Sequence, residues 1–108
     1  MPPQTKILDL KTFDKENTIF IDVRTRGYYL ISHVENAIHI ESAERIGFIA
    51  EENRDKQIAL YCHSGSVAMS LAAKLEQEGH DNVVAINKNF FYLPKYGIPI
   101  VGEGATKI

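Results

Sequence analysis

The chain has 108 residues, enough for one domain with a sizeable core and too few for two. Its 12 basic and 14 acidic residues leave a formal net charge of −2, and the basic ones are scattered, which argues against a nucleic-acid groove or a membrane surface as partner. One cysteine cannot close an internal disulfide, Met1-Pro2-Pro3-Gln4-Thr5-Lys6 does not read as a secretion signal, and no apolar run approaches the roughly 20 residues of a membrane span. The expectation is a single cytoplasmic domain over residues 1–108, without repeats or low-complexity segments.

In chain order, Lys6 to Leu8 is a weak edge strand. Thr18 to Val23 (TIFIDV) is rich in β-branched residues and apolar on both faces until Asp22, as in a strand covered on both sides. A short helix is predicted from Thr25 to Ile31, and a strand from Ala37 to Ile40. Ser42 is placed to cap a helix running to about Asn53, with Glu44, Glu51 and Glu52 outward and Ile46, Phe48 and Ile49 available for burial. Ile58 to Tyr61 is a fourth apolar run. Ala68, Leu71, Ala72 and Leu75 then fall at i, i+3, i+4 and i+7, the spacing of one helix face, and Gly79 stands where such a helix would end. Val83 to Ile86 is the last strand, and Phe90 to Tyr96 reads as helical, bent or delayed by Pro94. Strands alternating with helices predict an α/β fold whose mainly parallel sheet is covered on both faces.

In open α/β sheets, ligands bind beyond the carboxyl ends of the strands. That edge collects Asp22 and Arg24, then Cys62 to Ser66, then Asn87, Lys88 and Asn89. Cys62 ends an apolar strand and precedes His63-Ser64-Gly65-Ser66 and a helix start. Loop N–H groups can point inward as a nest there, and the helix contributes the positive end of its dipole. Both favour a thiolate, which is the nucleophilic form. Asp22 is expected to serve structure, accepting backbone N–H bonds or pairing with Arg24, more than to act as a general base. His33 is expected to hydrogen-bond the chain where helix and strand meet. His63 follows the thiol directly, and favours the thiolate if protonated. His33, His39, Cys62, His63 and His80 lack the close pairing of a structural zinc site, so no metal is expected. The Tyr28-Tyr29 and Phe90-Phe91-Tyr92 clusters read as core and rim packing.

Ile21-Asp22-Val23-Arg24, Tyr28-Tyr29, Ser32-His33-Val34 and Ala37-Ile38-His39-Ile40, taken in that order, resemble the first half of a rhodanese-like domain. Its second half resembles Tyr61-Cys62-His63-Ser64-Gly65, Ala72-Ala73-Lys74-Leu75, Gly79, Asn82-Val83 and Gly97-Ile98-Pro99. The likeness runs from about Thr18 to Val101, and its specificity lies in the order and spacing of short motifs. It implies a sheet of about five strands and a catalytic cysteine, Cys62, that carries sulfur as a persulfide. The donor would be thiosulfate or another persulfide, including a protein persulfide, and the acceptor a thiol or other nucleophile, with a protein partner as a further candidate. No organic cofactor or metal is implied.

The resemblance also implies a substrate-binding loop, His63, Ser64, Gly65, Ser66 and Val67, supported by Asp22, Arg24 and His33. That loop departs from the family's common C-[RK]-x-G-x-R-[ST], since Val67 and Ala68 stand at the arginine and hydroxyl positions. A hydrogen bond to a charged group contributes roughly 1.5 to 3 kcal/mol, so thiosulfate is expected to be a poor donor. Ser32 replaces the glycine of the G-H-I motif, Lys88-Asn89 a Gly-Gly pair, and Leu93 a tryptophan. Lys88 is expected to supply substrate-side charge that Val67 cannot. The competing readings are a rhodanese-like interaction or sensor module without turnover and a phosphatase or arsenate reductase on the same sheet, which lacks its clamping arginine here. A cysteine protease using Cys62, His33 and Asp22 has no second half to its cleft.

Overall fold

The computed structural model describes residues 6–102. Four parallel strands form the main sheet: β1 (Thr18–Asp22), β3 (Ile38–His39), β4 (Gln57–Tyr61) and β5 (Val83–Ala85), in the order β3-β1-β4-β5. Helices α1 (Arg26–Ile31), α2 (Ala43–Glu52) and α3 (Ser66–Gln77) connect them. Ser42 caps α2 by accepting the Arg45 N–H at 3.3 Å. The Phe90–Tyr96 segment is a 3-10 helix containing Pro94, started by Asn89, whose side chain accepts the Phe91 N–H at 2.9 Å.

Sheet parity divides the core in two. Ile58, Leu60 and Cys62 point, with Ile19, Ile21 and Val23, toward a layer holding Ile46, Ala50, Ala68, Ala72 and Leu75 of α2 and α3. The intervening Phe20, Ala59 and Tyr61 join Phe90, Leu93 and Ile98 on the other face. Successive strand side chains alternate faces, so Cys62, one residue past β4, continues the row that faces α3. Asp22 is paired in register with Tyr61, and both are buried.

Three details differ from the sequence expectation. The fifth strand is reduced to a single bridge between Ile7 and Ala85, because the chain turns immediately afterwards, with the Asp9 carboxylate accepting the Lys11 N–H at 2.9 Å. Two segments that the sequence reading assigns to no element form an antiparallel ribbon, β2 (Ser32–Val34) with β6 (Ile100–Gly102). Three-residue strands paired across most of the chain leave no local period to detect. Phe48 is 59 % exposed on the outer side of α2, where Ile46 and Ala50 already fill the inward face.

Candidate active site

The turn after β4 is built around the Cys62 sulfur. Cys62 Sγ accepts the backbone N–H of Gly65 at 3.1 Å and that of Ala68, in the first turn of α3, at 3.5 Å. Gly65 adopts φ 111°, which L side chains rarely adopt, and lies so close to the next loop that an added Cβ would stand 3.0 Å from the Asn87 Cα and 3.2 Å from the Ile86 carbonyl. From the other side the Phe90 N–H donates to the His63 carbonyl at 2.8 Å. The thiol is 96 % buried, given its 4 % exposure, with two N–H groups oriented at it from a helix start. Such donors can stabilise negative charge that develops on sulfur in a reaction.

A cavity of about 410 Å³ opens over this turn. Cys62, His63, Ser64, Ser66 and Val67 line it from the loop and the start of α3, Arg24 and Glu41 from beyond the neighbouring strand ends, and Tyr28 from α1. Val67 is half-exposed at its edge.

Arg24 contributes little free charge to the cavity. Its Nε lies 3.0 Å from both Asp22 carboxylate oxygens and its Nη2 2.6 Å from Oδ2, while the same Nη2 donates to the Ser32 carbonyl. Asp22 also accepts the Arg24 backbone N–H at 2.9 Å. The guanidinium lies 4.2 Å from the Phe90 ring centroid, and Phe90 stacks on Tyr61. Buried charges persist when their hydrogen-bonding capacity is met, and this pair ties β1 to β2 beside the cysteine loop. Burial, reinforced by the Asp22 carboxylate, pushes the Tyr61 phenol far above its ordinary range, so Tyr61 stays neutral and accepts the Val34 N–H at 3.0 Å.

His63 packs edge-on against Tyr28, ring centroids 4.4 Å apart. Burial and then the Arg24 charge lower its pKa from the ordinary 6.5, with Asp22 opposing. That shift disfavours the imidazolium, the form in which the sequence reading has His63 favouring the thiolate. Lys88 requires a correction. It lines a different cavity, with Leu10, Asn87 and Tyr96, because Asn87 is the residue that packs on Gly65 and the chain then turns at Asn89 into the 3-10 helix. His33 lies in β2 away from the cavity, its Nδ1 2.8 Å from the Tyr29 carbonyl and its ring stacked on Tyr29. Glu41 and Tyr28 are cavity residues that the sequence reading did not assign. Glu41 follows the end of β3, so the strand-end rule that drew attention to Asp22 and Cys62 also points to it. Among the described residues no group of three His, Cys, Asp or Glu side chains is arranged to hold a metal ion, and no helix is long and apolar enough to cross a membrane.

Comparison with known proteins bears on this arrangement. The thiosulfate sulfurtransferase GlpE of Pseudomonas savastanoi pv. phaseolicola is 25% identical over 76 residues, covering 70% of this chain and 72% of the relative. A tRNA uridine(34) hydroxylase of Photorhabdus laumondii is 34% identical over 76 residues; the match takes in 65% of this chain and only 22% of the hydroxylase. Protein hp1203 of Helicobacter pylori has the same fold, with a TM-score of 0.75 at 24% identity over 91% of this chain and 90% of that one. A rhodanese-related protein of Thermoplasma volcanium superposes with a TM-score of 0.62 at 23% identity, covering 80% of this chain and 85% of its own. At these identities the two solved structures speak to fold alone. The family model of the rhodanese-like domain matches residues 7–92, a span that holds the sheet, the cysteine turn and every side chain lining the cavity, and the chain belongs to the rhodanese-like domain family.

Proposed function

We propose that this protein is a sulfurtransferase or persulfide carrier that moves sulfane sulfur through Cys62. The observation that carries the reading is the pair of N–H groups, from Gly65 and Ala68, directed at the Cys62 sulfur from a helix start. In the first step the Cys62 thiolate attacks the outer sulfur of a donor. The donor's S–S bond, or the S–S bond to the sulfonate in thiosulfate, breaks with its electron pair on the departing thiolate or sulfite. Cys62 then carries a persulfide. In the second step an acceptor thiolate attacks the outer sulfur, the Cys62 S–S bond breaks, and the Cys62 thiolate returns with the electron pair. The loop amides can stabilise negative charge on sulfur as each S–S bond is made and broken, and the Tyr28 and His63 rings wall the cavity. The name of the GlpE relatives, thiosulfate sulfurtransferase, is consistent with this chemistry.

A second reading, an interaction or sensor module without turnover, is favoured by Val67 at the family's arginine position. Intact mass spectrometry separates the two. Reduced protein is incubated with thiosulfate or with a low-molecular-weight persulfide. Gain of one sulfur atom, absent in Cys62→Ser, supports transfer; no adduct from either donor leaves the module reading standing.

A further inference from the structure

The charge around the cavity is unusual for a site that would receive a dianion. Arg24 is its one permanent cation, and Asp22 neutralises it with both carboxylate oxygens. Val67 brings none, and Lys88 is at another cavity. Partial desolvation and then the Arg24 charge disfavour the cationic form of His63. What is left is the Glu41 carboxylate, which lines the same cavity as Cys62. Among the described residues its one ion-pair partner is His39, whose Nε2 is 3.4 Å from the carboxylate. That nitrogen is already committed at 2.7 Å to the Arg24 carbonyl, so the longer contact does not cancel the Glu41 charge, which the half-exposed side chain shares between solvent and the cavity.

We infer that Glu41 is a specificity-determining residue that turns the Cys62 site away from anionic sulfur donors and toward persulfides whose carrier group is uncharged or cationic. The inference rests on the sulfur-transfer reading and names the donor class for it. The reacting step is the same for each donor of the form R–S–SH. The Cys62 thiolate bonds to the outer sulfur, the donor S–S bond breaks, and R–S⁻ leaves with the electron pair while the proton stays on the new Cys62 persulfide until solvent removes it. The charge on R feels the Glu41 field on approach. For a separation of about 10 Å and an effective dielectric constant of about 20 to 40, removing that one negative charge changes the rate about four- to fifteenfold per unit of donor charge.

Two readouts test it. In the first, Cys62, the only cysteine in the chain, is alkylated with neutral iodoacetamide and anionic iodoacetate. The ratio of the iodoacetate rate to the iodoacetamide rate should rise about four- to fifteenfold in Glu41→Gln, and further in Glu41→Lys. In the second, intact mass follows sulfur loading from the persulfides of cysteamine, 2-mercaptoethanol and 3-mercaptopropionate, which carry cationic, neutral and anionic groups on similar short chains. Wild type should load in that order, Glu41→Gln should compress the spread, and Glu41→Lys should invert it. An alkylation ratio that does not move with Glu41, or loading rates that ignore donor charge, overturns the inference while leaving sulfur transfer standing. No loading from any of the three donors overturns the sulfurtransferase reading and the donor class together. Glu41 is half-exposed, and thermal melts of the variants establish that they are folded.

Discussion

Gly65 places an N–H on the Cys62 sulfur only because its backbone has a conformation and a clearance that other residues lack. In Gly65→Ala two costs add. A positive φ such as its 111° costs an L residue about 1 to 2 kcal/mol. The new methyl would also meet the Asn87 Cα at 3.0 Å and the Ile86 carbonyl at 3.2 Å, both backbone atoms that cannot rotate away, and overpacking of this kind costs about 1 to 3 kcal/mol. The sum is about 2 to 5 kcal/mol. For a domain of this size each kcal/mol lowers the Tm by about 4 to 8 °C. Gly79 provides the control, since its φ of 98° is similar but an added Cβ there meets nothing within 4 Å. Gly79→Ala should therefore bear only the first cost, about 1 to 2 kcal/mol. Urea denaturation of both variants, with Cys62 alkylation as a second readout, measures the difference. Equal losses in the two variants would refute the close packing of the cysteine turn on the Asn87 loop. Unchanged Cys62 alkylation in a folded Gly65→Ala protein would refute the role of the Gly65 N–H in activating sulfur.

Removing Arg24 should cost more than removing a surface charge. Arg24→Ala strands the fully buried Asp22 carboxylate and should destabilise the fold by about 3 to 5 kcal/mol in urea titration; Asp22→Asn added to Arg24→Ala should recover part of that loss, and a loss below about 1 kcal/mol would contradict the burial of the pair. Val67 is 51 % exposed at the cavity edge, so Val67→Arg should fold normally. Gaining a charged hydrogen bond to an anionic donor should then raise kcat/KM for thiosulfate by about one to two orders of magnitude, and an unchanged value would mean that position 67 does not reach the donor. His63 titrates below its ordinary 6.5 in the folded chain, so the unfolded state binds the extra proton first. Its contribution to stability is present in full above that ordinary value and is lost as pH falls through it toward the lower folded value. The fall in stability of the wild type below pH 6.5 should be shallower in His63→Gln, and superimposable pH profiles would contradict the shift.

Most of the scaffold was legible along the chain because it obeys local rules. The alternation of apolar runs with helical spacing marked the four main strands and α2 and α3, and the strand-end rule brought Cys62, Asp22 and Arg24 to one edge. The helix signals needed only the period of 3.6 residues and a capping serine. The ribbon of β2 and β6 was not legible, since pairing Val34 with Ile100 depends on contacts that close only when the chain folds. Phe48 was misjudged for a related reason. A helix face that could be buried is buried only where a neighbouring layer has room for it.

At the site, the sequence alone determined where Cys62 stands. A thiol at the end of a buried strand, one loop before a helix, is set by side-chain parity and by the direction of the chain, which are local properties. The charge that the thiol experiences belongs to the tertiary structure. Lys88 and Asn87 are adjacent in sequence, yet Asn87 packs on Gly65 while Lys88 lines another cavity. Arg24 reaches the Cys62 cavity with its charge already matched by Asp22, and partial desolvation together with Arg24 disfavours the cationic form of His63. Electrostatic energy depends on distance and on exposure to solvent, neither of which is written in sequence spacing, so the set of charges lining the Cys62 cavity, Glu41 among them, was decided only in the folded chain.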